Sequence, residues 1–94
     1  DITVDMRSKE VRKGGELLSL SALETRLLIL LMEHSGQILS REQILESVWD
    51  RQEKYVDENT LAVTVRRLRL KIEEHPSSPQ RIRTIHGMGY IWKE

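Results

Sequence analysis

The chain has 94 residues, 38% apolar and 32% charged, which suits one small globular domain and is too apolar for a disordered segment. It has no cysteine, which excludes disulfides, thiolate zinc sites and cysteine nucleophiles and fits a reducing cytoplasm. Its formal charge is zero, but residues 1–62 hold twelve acids against eight Lys/Arg (−4) and residues 63–94 hold three against seven (+4), so a polyanionic partner is expected at the C-terminal third.

The first twenty residues read as short antiparallel strands. ITVDM alternates, EVRKG and ELLSL follow, and Gly14-Gly15 between them is a hairpin signal. The chain opens on Asp1 directly in strand-like sequence, so a piece of a longer protein is expected, and no signal peptide is visible. Ser21 and Glu24 then form a Ser-x-x-Glu capping box, in which hydroxyl and carboxylate satisfy the orphan amides of a helix start. Leu23, Leu27, Leu30, Leu31 and His34 follow at helical spacing, and Gly36 ends the pattern. The longest apolar run, Leu27 to Met32, is core and too short to cross a bilayer, so no membrane partner is expected. Gln37-Ile38-Leu39 is short and extended. Ser40 and Gln43 open a second helix with Ile44, Leu45, Val48 and Trp49 on its apolar face. Residues 49–55 lose periodicity and read as a loop.

Residues 60–74 pose the central question. Period two explains Leu61, Val63 and Val65 but fails at Arg66-Arg67. Period 3.6 places Leu61, Val65, Leu68 and Ile72 on one stripe about 60° wide, after a cap at Asp57 or Asn59 and before His75-Pro76. This predicts a third helix over 57–74. Opposite its stripe lie Asn59, Val63, Arg66, Arg67 and Leu70, with Arg69 on one shoulder and Lys71 on the other. Arginine forks suit guanine edges and aliphatic groups suit thymine methyls, so this face fits DNA. The competing reading is ordinary solvated cations drawn to the C-terminal half of a helix by its dipole. The tail alternates as RIRTI, turns at Gly87-Met88-Gly89, and returns as YIWK, a closing β-hairpin.

Other chemistries lack their residues. His34, His75 and His86 have no ligand spacing, and Gly87-Met88-Gly89 lacks the third glycine and the helix of a dinucleotide loop. Ser21 and Ser40 are caps rather than nucleophiles, and the outward helix face has no stacking aromatics for single-stranded RNA. No enzyme and no cofactor is expected.

Three helices and a hairpin, with LSLSALETRLLILLMEHSGQILSREQILESVW, DENTLAVTVRRLRLKI and IRTIHGMGYIW in that order, resemble the OmpR/PhoB-type effector domain of bacterial two-component response regulators. The resemblance runs over nearly the whole chain. It implies an α+β winged helix-turn-helix spanning 1–94, with a four-stranded N-terminal sheet in 1–20, a three-helix core in 21–74 and a wing in 81–94. It also implies a receiver domain outside this chain, phosphorylated by a sensor histidine kinase. The isolated domain would be a monomer that dimerises on direct-repeat promoter half-sites.

On this pattern helix 57–74 enters the major groove of double-stranded DNA, with Arg67, Thr64 and Val63 reading bases. Arg66 and Arg69 hold phosphates or the neighbouring subunit, Thr84, Tyr90 and Trp49 hold phosphates, and the wing, 82–92, brings His86 and Gly87 to the minor groove. Asp50, Arg51, Gln52, Glu53, Lys54 and Tyr55 match a loop that touches RNA polymerase in some members. Two positions depart from the pattern: His86 stands where arginine is usual, implying weaker or pH-sensitive insertion, and Ala62 where an acid is common. A winged helix used for contact with RNA polymerase or a second subunit remains the alternative.

Overall fold

The structure, a computed structural model, describes residues 1–48 and 58–94, the side chains of Glu58 and Asn59 excepted. Strands β1 (Ile2–Asp5), β2 (Glu10–Lys13) and β3 (Glu16–Leu17) form an antiparallel sheet in that order. Gly14 and Gly15 join β2 to β3 with φ of +57° and +86°, the positive values a two-residue type I′ turn requires of both. The four strands expected here are three among the described residues. After Leu17 the Leu18 N–H closes on the Val11 carbonyl at 2.8 Å, and the chain then leaves for the first helix.

Helix α1 (Ala22–Glu33) starts at the predicted capping box: Ser21 Oγ accepts from the Glu24 N–H at 3.1 Å, and Glu24 Oε1 accepts from the Ser21 N–H at 3.0 Å. Helix α2 (Arg41–Val48) repeats the device with Ser40 and Gln43, at 3.1 and 2.8 Å. Helix α3 runs from Glu58 to Ile72, so the period of 3.6 is the correct one. Its capping candidates, Asp57 and the side chain of Asn59, lie outside what is described.

The extended residues between α1 and α2 turn out to be a strand. Pairing of β4 (Ile38–Leu39) with β6 (Gly89–Trp92), and of β6 with β5 (Ile82–Ile85), gives a second antiparallel sheet in the order β4-β6-β5. The winged hairpin is thus stitched to the turn between the first two helices. Gly89 makes the seam possible: it has φ +143°, and a Cβ there would overlap the Leu39 carbonyl group.

One core joins these elements. Leu27, Leu28 and Leu31 of α1, Ile44 and Val48 of α2, Leu61, Val65, Leu68 and Ile72 of α3, and Ile82 and Trp92 of the hairpin are all buried together. Ile2, Val4 and Val11 bring the N-terminal sheet onto the same cluster. No helix among the described residues is long and apolar enough to cross a membrane.

A polar tie connects the start of α1 to the end of α3. Lys71 Nζ donates to Glu24 Oε1 at 2.6 Å, and that carboxylate side chain is only 5% exposed. Burial alone would raise the Glu24 pKa. The hydrogen bonds from Lys71 and from the Ser21 N–H, with the attraction of Lys71 and Arg67, outweigh it and hold the pKa below the usual carboxylate value. A depressed folded-state pKa stabilises the fold fully above the unfolded-state value, and that contribution is lost as the pH falls through the folded-state value. Glu24→Gln keeps an acceptor for the capping box and removes only the charge. It should cost about 1 kcal/mol at neutral pH and flatten the acid limb of stability measured by urea unfolding between neutral and acidic pH.

Candidate nucleic-acid interface

The surface of α3 follows from how its core stripe is seated. With Leu61 and Leu68 fully buried, Arg66 and Arg67 point outward, and Val63 and Leu70 are 38% and 62% exposed between and beside them. This is the face expected from the helical period.

Thr64 departs from the expectation. It is 6% exposed, and its hydroxyl donates to the Thr60 carbonyl at 2.8 Å, one helical turn back. The buried arc of α3 is therefore wider than its apolar stripe, because a threonine that satisfies its hydroxyl on its own helix can enter the seam. Thr64 is not presented for base contact in this structure.

The hairpin is ordered by pleat. Ile82 pairs with Trp92 and Thr84 with Tyr90, so these four share one face, apolar and buried at the base, with Thr84 exposed nearer the tip. Arg69 lies over this face instead of extending into solvent. Its Nε and Nη2 donate to the Ile82 carbonyl at 3.1 and 3.0 Å, and Nη2 also donates to Thr84 Oγ1 at 2.8 Å. Its guanidinium carbon stands 6.0 Å from the centre of the Tyr90 ring, and that of Arg41 5.9 Å from the same ring. Burial lowers the Arg69 pKa, partly offset by Tyr90 and Glu73, and the group remains a cation. Tyr90 itself is only 7% exposed. Past it, the turn at His86, Gly87 and Met88 is exposed, with Gly87 at φ +75° and Met88 57% exposed.

Glu73 was not singled out in the sequence, yet it sets where the hairpin begins. Its carboxylate is buried and accepts from the backbone N–H groups of Gln80, Arg81 and Ile82 at 2.9–3.2 Å. A signal was available: a carboxylate just past the end of a helix opposes the helix dipole, so it needs another partner. Trp49 and the loop residues Asp50, Arg51, Gln52, Glu53, Lys54 and Tyr55 lie outside the described residues. His34 Nδ1 sits 2.9 Å from the Leu30 carbonyl, a local helix-end bond. Among the described residues no three His, Cys, Asp or Glu side chains converge as a metal site.

Comparison with known proteins gives this arrangement a context. A family model described as "Transcriptional regulatory protein, C terminal" matches residues 15–92. The transcriptional regulatory protein YcbL of Bacillus subtilis is 43% identical over 89 residues, covering 95% of this chain and 39% of that protein. The response regulator DrrB, an OmpR/PhoB homologue of Thermotoga maritima, superposes with a TM-score of 0.90 at 31% identity, over 100% of this chain and 42% of that one. The DNA-binding domain of Klebsiella pneumoniae RstA, solved in complex with the RstA box, gives 0.84 at 31% identity over 98% and 90%. The chain thus spans about two-fifths of the length of the curated relatives it matches.

Replacing Glu73 by alanine would leave three backbone amides without their acceptor. A loss of about 2–4 kcal/mol is expected in urea unfolding, whereas Glu74→Ala, on an exposed neighbour, should change stability by less than about 0.5 kcal/mol.

Proposed function

The chain belongs to the C-terminal family of transcriptional regulatory proteins, as a winged-helix DNA-binding domain of the OmpR/PhoB response-regulator type and not an enzyme, and from this we propose how it engages DNA. Helix α3 enters the major groove of promoter DNA and the hairpin reaches the adjacent minor groove. Arg67 forks onto a guanine edge and Val63 covers a thymine methyl. Arg66, Thr84 and Tyr90 hold phosphates, and His86 and Gly87 meet the minor groove. Trp49 would add a phosphate contact.

The observation that carries this reading is the outward face of α3, where Arg66 and Arg67 stand exposed beside a half-exposed Val63. The same α3–hairpin seam also leaves Thr84 exposed for a backbone phosphate. The wider setting belongs to the same proposal. A phosphorylated receiver domain, acted on by a sensor histidine kinase, would deliver two copies to directly repeated half-sites in the cytoplasm. Residues 50–55 would be available to RNA polymerase.

Leu70 favours a second reading. At 62% exposed, on the same face as the arginines, it would suit a protein partner, RNA polymerase or another copy of the chain. Salt separates the two, because DNA binding weakens steeply and log-linearly with salt while an apolar protein contact does not.

Selection of bound duplexes from a random pool tests the assignment. The parent chain should yield a motif with directly repeated half-sites. Arg67→Ala should relax one base position worth about 1–3 kcal/mol of discrimination. Arg66→Ala should instead weaken all duplexes alike and reduce the salt slope by about one. His86→Arg should tighten binding, and Thr64→Val should leave the selected motif unchanged. Parent-like binding by both arginine variants would remove DNA reading from this face.

A further inference from the structure

The sequence pattern offers Arg69 as one more phosphate contact, but its geometry gives it a different task. We propose that Arg69 is a positioning residue, which clamps the hairpin to α3 and turns the Thr84 hydroxyl toward the DNA backbone. The proposal rests on the DNA reading above and adds an intramolecular device to it.

Three observations support this. First, the Nε–Nη2 edge of the guanidinium is already engaged inside the protein. Nε and Nη2 both donate to the Ile82 carbonyl, and Nη2 also donates to Thr84. A phosphate could take over these donors only if the guanidinium gave up bonds made in a half-buried place, whereas exposed Arg66 gives up none of these. Second, the clamp is braced by its neighbours. The Tyr90 ring centre stands 6.0 Å from the Arg69 guanidinium, and the Glu73 carboxylate pins the backbone of residues 80–82 on which the fork rests.

Third, the chemistry of the hydroxyl gives the contact a direction. A threonine oxygen carries one proton and two lone pairs. An Arg69 N–H points at one lone pair, so the Thr84 proton is turned away from that side. Thr84 is exposed, so the proton is presented to solvent, where a phosphate oxygen can accept it. Arg69 then acts at one remove: it orients a neutral donor and holds the hairpin at a fixed angle to α3, so that both elements meet their grooves together.

A charge-preserving substitution tells the two roles apart. Lysine keeps the cation of Arg69 but cannot fork onto a carbonyl and a hydroxyl together. The test uses the 94-residue chain and the duplex it selects from a random pool, with circular dichroism and thermal unfolding to confirm folding. Arg69→Lys and Arg69→Met should both weaken binding about tenfold, with the salt slope moved by less than about half a unit, against about one for Arg66→Ala. Arg69→Met combined with Thr84→Val should cost no more than Arg69→Met alone, since the hydroxyl is useful only when oriented.

A direct phosphate contact behaves otherwise. Parent-like binding by Arg69→Lys, a slope reduced by about one in Arg69→Met, or a double variant that loses the product of the two single losses would each overturn the proposal. Should the methionine variant fail to fold, Arg69→Lys alone and with Thr84→Val still decides it. If the parent chain selects no duplex, the DNA reading falls and this proposal falls with it. If the parent binds and the losses multiply, only the role of Arg69 is wrong.

Discussion

Burial of Leu61, Val65, Leu68 and Ile72 is the constraint on which the rest of this domain depends. The four side chains fix the rotation of α3 about its own axis, and a helix has only one rotation to give. Once they are seated in the common core with α1 and Trp92, Val63, Arg66, Arg67 and Leu70 have no face left but the outer one. The proposed interface is in this sense a by-product of core packing. A small domain has little spare apolar area, so a helix that must also present its opposite face cannot be turned at will.

Charged side chains do work that further apolar contacts would do in a larger domain. Glu24 closes its own capping box and takes Lys71 from the far end of α3. Glu73 gathers three amides at the start of β5. Arg69 joins α3 to the hairpin beyond. In each case a side chain on a helix, or just past its end, takes a partner remote from its own turn. Groups that pair with backbone in this way tie elements together at a defined distance and angle, which apolar contacts alone do not specify.

The part of this structure legible in the sequence was the part whose causes are local. Both capping boxes place their partners three residues apart, so they can be read directly, and both are present. The Gly14-Gly15 turn is likewise a matter of adjacent residues. The period of α3 gave its outer face for the same reason. What escaped depends on contacts distant along the chain: Glu24 and Lys71 are 47 positions apart, Arg69 and Ile82 thirteen. Thr64 shows the limit from the other side. The wheel gave a stripe about 60° wide, but a helix covered by both helices and hairpin buries about 100°, and the extra arc took in a threonine. The pairing of β4 with β6 was hidden because two extended residues carry no register of their own.

That pairing also bears on how such a domain can change over generations. Strand β6 of the hairpin is held against β4 and the core through Leu39, Gly89 and Trp92, all buried, while His86, Gly87 and Met88 sit in water at the turn. Substitutions at His86 or Met88 therefore put little of the folding free energy at risk. A lineage can explore new chemistry at the tip while the same scaffold persists beneath it, so target preference and foldability are free to drift apart.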